Sequence, residues 1–576
     1  MTLRARPVAR RRGRAGWDPG DRRNSLINLG FFLAIAFSVL LLVGYAAYSW
    51  YNDHFGAAAT VNGQTITNDQ LRNRLAIENF RLNYFQERIR TLLAKGMLSE
   101  SEYQGQLQFI QQQQSQLTAV ALERLVDITL QDKLASDRAI QITDDEVTAE
   151  VLKDSTDPEQ RHVWMIEVEP DVDPDSGDVT PELRQAALNT ANDALARLHD
   201  GESWEDVARL VSDSGIAPTA GDLGWLQEES GYDEGLMTAI FAADLNVPTD
   251  VIEGDDGVFR IGRATEMTPA EVDSTFAVKL EADHITMDAY RVVARGDLLR
   301  EKLSDAVVAE MSQPGLQRHV LEIYLPEPNE PTTGAEDGVK VRHILFSPND
   351  DSQAAADLPD DDPAWAAAKK EADDAYATLK ADPSKFDGMA RTNSDEPSAK
   401  VTGGKQPWYY PGSSIEQPFK DAILADGLTD GQVLAPVKTS FGWHVIQFMR
   451  ASGAGNTSYL NGLKADITTV DDFRAAARDN SENNDAEPDG DIGWVAKSQL
   501  ADQLDTAIFS TTAGQMSNVV TVSSDGDYLF WVLEEQTREP TEEQLKIFKD
   551  SGFQNWYTAQ KEAADINYIV GTQSVG

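Results

Sequence analysis

Two hydrophobic periods alternate along the chain. Residues 60 to 150 open with TVNGQTI, a short strand-like piece holding an Asn-Gly turn, and continue at helical spacing through Leu71, Leu75, Phe80, Phe85, Ile89 and Leu92. Helix starts are marked chemically: Thr67 with Gln70, Ser99 with Glu102, and Thr143 with Glu146 fit the capping box, in which each side chain satisfies an orphan backbone donor. Gln111 to Gln114 fall within a helical pattern and read as a solvated face.

Further on, short apolar runs alternate with helical ones, and one template recurs three times: WEDVARLVSDSGIAPTAGDLGWL (204–226), FDGMARTNSDEPSAKVTGGKQPWYY (386–410) and FRAAARDNSENNDAEPDGDIGWV (473–495). In each, an aromatic residue precedes Ala, Arg and Ser at fixed offsets, then come a Gly turn and a Trp. Ala-Ile-Phe or Ala-Ile-Leu follows at 239–241, 422–424 and 507–509. Each unit reads as strand, helix, short helix, Gly-rich turn, helix, strand, an α+β layer with a small sheet. PEPNEPTTGAEDG (326–338) and ASGAGNTS (451–458) are the breaks between units.

Charge adds a compartment. The first 23 residues hold eight Arg against two Asp, in a chain of net charge −45. Next comes LINLGFFLAIAFSVLLLVGYAAYSW (26–50), uncharged and long enough to cross a bilayer as a helix. Arg-rich sequence before it and acidic sequence after it predict a single-pass membrane protein, N-terminus in the cytoplasm and bulk outside. An uncleaved anchor fits better than a signal peptide, whose apolar region is shorter. The chain has no Cys, so neither a disulfide framework nor a thiol nucleophile is available. An acidic exterior argues against nucleic acid, and no Gly-rich phosphate loop suggests a nucleotide.

His343 in VKVRHILF and His444 in TSFGWHVIQF are two of only seven histidines, each set in an apolar strand-like run. A lone histidine there is ordinarily a hydrogen-bonded core residue; a pair within one unit points to a site. With VRHILF, the Ala-Arg-x-x-Ser helix, the Gly-Gly turn and FGWHVIQ in order, the middle unit resembles the parvulin family of peptidyl-prolyl isomerases, as found in foldases of the SurA, PrsA and PpiD kind. The resemblance implies an α+β multidomain chain: basic tail 1–25, transmembrane helix 26–50, and a SurA-N-like helical chaperone domain in two parts, 60–156 and 267–325. Between and after these it implies three parvulin-like units, each with a small antiparallel sheet among helices. They are 157–266, 339–452 after linker 326–338, and 459–537, followed by a closing helix and strand in 538–576.

For the middle unit the resemblance implies catalytic His343, His444 and Thr439, and an acid that is Asp395 or Glu396 according to the direction of counting. Ile415, Phe419, Gln406 and Trp408 would form the proline pocket, although Lys405-Gln406-Pro407 departs from the usual Asp-Leu-Gly. No metal or cofactor is implied. The first unit keeps His162 and Asp213 but has Phe259 at the place of His444; the third has Tyr528 there and no adjacent opening strand, so both are expected to be non-catalytic. LQRHVLEIYL (316–325) repeats the RHV signature, which leaves open that it is the third unit's first strand. The acidic loop at 347–363 disfavours phosphorylated substrates. Two functions stand: an extracytoplasmic foldase isomerising Xaa-Pro bonds in unfolded exported chains, or an ATP-independent holdase using these units only to bind peptide.

Overall fold

The computed structural model describes residues 19–172, 179–212, 215, 219–327, 338–452, 455–484 and 486–570, which form two compact units. The first runs to Leu303 and is completed by a C-terminal strand; the second is Ser304–Ala563.

In the first, α1 (Pro19–Phe55) includes Leu33–Phe55, 23 residues of mean hydropathy 1.8 with none of that stretch buried. By length and composition this helix is able to cross a membrane. β1 (Ala57–Val61) and β2 (Gln64–Thr67) pair through a turn with Asn62 and Gly63 both at positive φ, the conformation Asn-Gly favours in hairpins. α2 (Asn68–Ala94), α3 (Glu100–Ser115), α4 (Leu117–Asp137) and α5 (Asp144–Asp154) follow, and the three capping boxes form as their sequences predict. Phe85, expected on the apolar stripe of α2, is exposed, whereas Ile77, Phe80 and Tyr84 are buried. They pack against Phe276, Leu280 and Tyr290, so this helical layer is built from chain on both sides of an inserted α+β unit.

That insertion contains β3 (Thr156–Asp157), β4 (Gln160–Val168), α6 (Pro181–His199), α7 (Trp204–Val211), β5 (Asp222–Leu226), α8 (Glu234–Ala242), β6 (Ile252–Glu253), β7 (Phe259–Thr268) and β8 (Glu271–Val272). Its four-stranded sheet has the order β5-β4-β7-β6, and β3 pairs with β8 at the base. α9 (Phe276–Ala282) and α10 (Met287–Met311) return to the helical layer, and strand Ile566–Tyr568 closes on β1.

The second compact unit holds the other two α+β units. β9 (Gly315–Pro326), assigned to the second helical segment with the third unit's first strand left open as the alternative, is that first strand: it lies between β13 (Asp491–Ala496) and β16 (Gly526–Arg538). Its run of buried Val320, Leu321, Ile323 and Leu325 suits a strand covered on both faces. The middle unit is inserted behind it: β10 (Val339–Phe346), α11 (Pro363–Ala381), α12 (Phe386–Asn393), α13 (Ala399–Thr402), α14 (Gln417–Ile423), β11 (Val437–Lys438) and β12 (Trp443–Ala451), with sheet order β10-β12-β11. The third unit resumes with α15 (Asn456–Asp466), α16 (Val470–Asn480), β13 (Asp491–Ala496), α17 (Asp502–Ser510), β14 (Gln515–Met516), β15 (Val520–Val522) and β16 (Gly526–Arg538). α18 (Glu542–Ile547) and α19 (Phe553–Ala563) follow.

Three glycines fix the correspondence between units. Gly221, Gly404 and Gly490 have φ of +81°, +80° and +83°, and accept from the amides of Met165, His343 and Glu322 at 2.8, 2.9 and 2.7 Å. A Cβ at any of them collides with the carbonyl oxygen of that same strand residue. Gly404→Ala is therefore expected to cost roughly 1–3 kcal/mol and lower the thermal midpoint of its unit by calorimetry. Gly388→Ala, in α12 with open space around it, should leave that midpoint unchanged or raise it slightly.

Candidate active site

His343 lies on β10 and His444 on β12, in a register that sets His444 opposite Leu345 and His343 opposite Ile446. The diagonal placement stacks the rings at 4.9 Å and brings the two Nδ1 atoms to 2.8 Å. His444 Nε2 is 2.7 Å from Thr439 Oγ1, and His343 Nε2 is 2.6 Å from Glu396 Oε2.

Protons in this row have one consistent direction while both imidazoles are neutral and Glu396 is ionised. The carboxylate only accepts, so His343 Nε2–H donates to it and His343 Nδ1 must accept. His444 Nδ1–H is then the donor, and its Nε2 accepts from the Thr439 hydroxyl. Thr439 Oγ1 in turn accepts from the Phe441 amide at 3.2 Å. Burial, and then the neighbouring His343 ring, hold the His444 pKa well below the usual 6.5. Burial works to raise the Glu396 pKa, but the hydrogen bond and charge of His343, with bonds from Gln406 and Ser398, hold it below the ordinary value.

Phe419 on α14 meets both rings edge-on, at 5.6 Å from His343 and 5.2 Å from His444, and Ile415 and Tyr409 pack in the same apolar cluster. Gln406, expected as a pocket wall, donates its side-chain amide to Glu396 Oε2 at 3.0 Å and accepts from the Tyr409 hydroxyl at 3.1 Å. Tyr409 was the residue missed; its separation of three from Gln406 was the only available signal.

The two acids separate cleanly. Glu396 joins the histidines with its side chain 28% exposed. Asp395 turns away: its amide donates to the Leu345 carbonyl at 2.9 Å and its carboxylate accepts from the Ser347 amide at 2.5 Å, while burial raises its pKa. It fastens the loop to the end of β10. Trp408 also falls outside the cluster, beneath the cations of Lys340 and Arg450 at 6.0 and 5.0 Å from its ring.

Two residues beyond the glycine contact, the amides of Glu167, Leu345 and Tyr324 donate to Ser212, Ser394 and Ser481 Oγ. Opposite those residues stand Arg260, His444 and Tyr528. The first unit therefore has Met165 and Arg260 at the places of His343 and His444, correcting the assignments of His162 and Phe259; Asp213 lies outside the described residues. The third has Glu322 and Tyr528, and Asn483 donates to Glu322 at 2.8 Å where the middle unit has Glu396.

The RHV signature misled because it sits three residues earlier on the strand. His162 bonds Asp222 at 2.8 Å and stacks on Trp225, and His319 bonds Asp491 at 2.8 Å and stacks on Trp494. Lys340, Lys405 and Trp408 take these three places in the middle unit.

Residues 160–266 and 329–451 match one family model described as PPIC-type PPIASE domain, and 456–529 match a second with the same description. The chain belongs to the parvulin-type peptidyl-prolyl isomerase family. This parvulin is 42% identical over 80 residues to a probable parvulin-type peptidyl-prolyl cis-trans isomerase of Bordetella bronchiseptica, covering 14% of this chain and 30% of that one. It is 22% identical over 353 residues to the chaperone SurA of Nitrosospira multiformis, covering 55% and 75%. The SurA of Yersinia pestis is 31% identical over 158 residues, covering 26% and 32%. The match thus spans under a third of the Bordetella relative's length.

A depressed histidine pKa has a definite sign in stability. Below about pH 6.5 the unfolded chain takes up a proton that folded His444 refuses, so stability falls with pH until the folded pKa is reached. Ring ¹⁵N spectra should show His444 titrating at lower pH in the folded parvulin than in urea, where it should titrate near 6.5.

Proposed function

We propose that the middle unit catalyses cis/trans isomerisation of Xaa-Pro bonds in unfolded exported polypeptides. The reading is carried by the unbroken donor row from Thr439 through His444 and His343 to Glu396, ending beside the Phe419 wall. Rotation about an Xaa-Pro amide meets a barrier of about 18–20 kcal/mol and breaks no covalent bond. A site for it needs neither nucleophile nor metal. It needs an apolar slot to hold the pyrrolidine ring, which Phe419 and Ile415 supply, and a pre-oriented polar surface for the twisted amide. Glu396 is the end of the row with access to solvent, so it faces the isomerising bond, and the buried histidines orient it rather than abstract protons.

The remaining architecture serves delivery. Helix Leu33–Phe55 tethers the protein to the cell membrane with its basic tail in the cytoplasm. The helices α2 to α5, α9 and α10, with the hairpin and closing strand, act as the SurA-N-like chaperone domain. Of the three parvulin-like units, the first and third bind peptide without turnover, since Met165 with Arg260, and Glu322 with Tyr528, form no equivalent row among the described residues. That loss in two units of three is what favours the second reading, a pure holdase. The acidic 347–363 loop disfavours phosphorylated clients by charge.

In a protease-free isomerisation assay on an unphosphorylated Xaa-Pro peptide, the full chain in detergent micelles should be active. His444→Ala and Glu396→Gln should each lower kcat/KM by about a hundredfold. No catalysis by the folded parent would overturn the isomerase and leave the holdase.

A further inference from the structure

The middle unit departs from its neighbours at Lys340 and Lys405, where they have His and Asp, and both lysine side chains are nearly buried, at 3% and 7% exposed. Two amines taken out of water need strong partners. Lys405 Nζ donates to the Arg478 carbonyl at 2.8 Å and the Thr402 carbonyl at 3.3 Å, and lies 3.8 Å from the Asp387 carboxylate. Arg478 is in the last turn of α16, in the third unit. Carbonyls of that turn lack partners within the helix and carry the negative end of its dipole, so a cation there is favourable and a carboxylate is not. An Asp following Gly404, as Asp222 and Asp491 follow their glycines, would face that negative end.

Two more cations of the same strand reach this helix end. Lys340 Nζ donates to Glu482 at 2.7 Å and Arg342 Nη2 to Asp479 at 3.0 Å, while Arg342 Nε is held by Gln447 at 2.6 Å. Each of the three is tied to the donor row. Lys340 and Arg342 precede His343 on β10, and Lys405 precedes Gln406, which donates to Glu396. Lys405 also bridges back to β10, pairing with Arg342 through the backbone. Burial, with added push from Arg342 and Arg391, brings the Lys405 pKa down to about 8 despite Asp387.

We propose that the third unit is a positioning element for the middle unit's site: the C-terminal end of α16, gripped by Lys405, Lys340 and Arg342, sets Gln406 and through it Glu396. The inference rests on the isomerase reading of the middle unit. It assigns a use to a unit that has lost the donor row, and it accounts for Lys405-Gln406-Pro407 as a docking sequence. Lys405, Lys340, Arg342 and Glu482 are positioning residues, acting through Gln406 and β10.

The test breaks the grip from the third unit. In the full chain in detergent micelles, Glu482→Lys sets two like charges at Lys340, and Lys340→Glu with Glu482→Lys restores a pair of reversed polarity. Asp479→Asn, at a side chain 41% exposed, is the milder variant that stands in if Glu482→Lys fails to fold. We expect Glu482→Lys to lower kcat by about tenfold with KM little changed, because a small misplacement of a catalytic group is costly in rate. Its acid limb should move to higher pH as Glu396 loses the Gln406 bond, and the charge-reversed pair should recover most of both. Asp479→Asn should do the same to a lesser degree. Wild-type kcat and acid limb in folded Glu482→Lys and Asp479→Asn would overturn the proposal. The ring ¹⁵N resonances of His343 report the Glu396 contact independently of turnover. An inactive parent sinks the isomerase reading alone; positioning is then supported if these resonances shift in Glu482→Lys and overturned if they do not.

Discussion

In each α+β unit one strand amide donates to the carbonyl of a left-handed glycine: Met165 to Gly221, His343 to Gly404, Glu322 to Gly490. A buried strand amide must find an acceptor, and at this point of the first strand a glycine turn supplies it, leading in the first and third units into the neighbouring strand β5 or β13. Only glycine comes close enough, because a side chain would strike the carbonyl of the same strand residue. Once that contact is made, the serine of the Ala-Arg-x-x-Ser helix falls on the amide two residues along, and the loop between serine and glycine is held at both ends. Every functional position is set relative to this anchor.

The frame does not dictate what occupies it. At the anchored strand position the three units place a thioether, an imidazole and a carboxyl group. In the third, burial pushes the Glu322 carboxyl up to about 7 against the hydrogen bond from Asn483, and Tyr528 donates to Asp525 at 2.6 Å. These groups satisfy one another inside the unit. In the middle unit the same positions join a row of hydrogen bonds that all donate toward a carboxylate with access to solvent. The frame and the side chains that occupy it are thus separable here.

Cations are scarce in this chain, with 50 Lys and Arg against 95 Asp and Glu, and the middle unit commits three of them to one helix end. Buried charge-assisted contacts of this sort are costly unless geometry is good, and they give a defined orientation in return. Of the acidic partners, Glu482 follows Ser481 as Asp395 follows Ser394, and Asp479 lies in α16 itself.

Local chemistry was legible in the sequence. Capping boxes at Thr67, Ser99 and Thr143, the Asn62-Gly63 turn, the long apolar helix and the threefold template each depend on neighbours within a few residues or on a repeated spacing. Pairing His343 with His444 was legible too, because both stand in apolar strand runs of one unit. Register was not: His162 and His319 share the RHV letters with no share in the site, since a three-residue offset along a strand moves a side chain about 10 Å and onto the other face. The choice of Glu396 over Asp395 required the loop's path, in which Asp395 is taken up by the Ser347 amide. The placement of β9 required pairing with β13 and β16 across the whole inserted middle unit. Sequence determines what short-range geometry can satisfy; the tertiary structure decided which distant groups meet, because long-range pairing is set by strand register and burial summed over the entire chain.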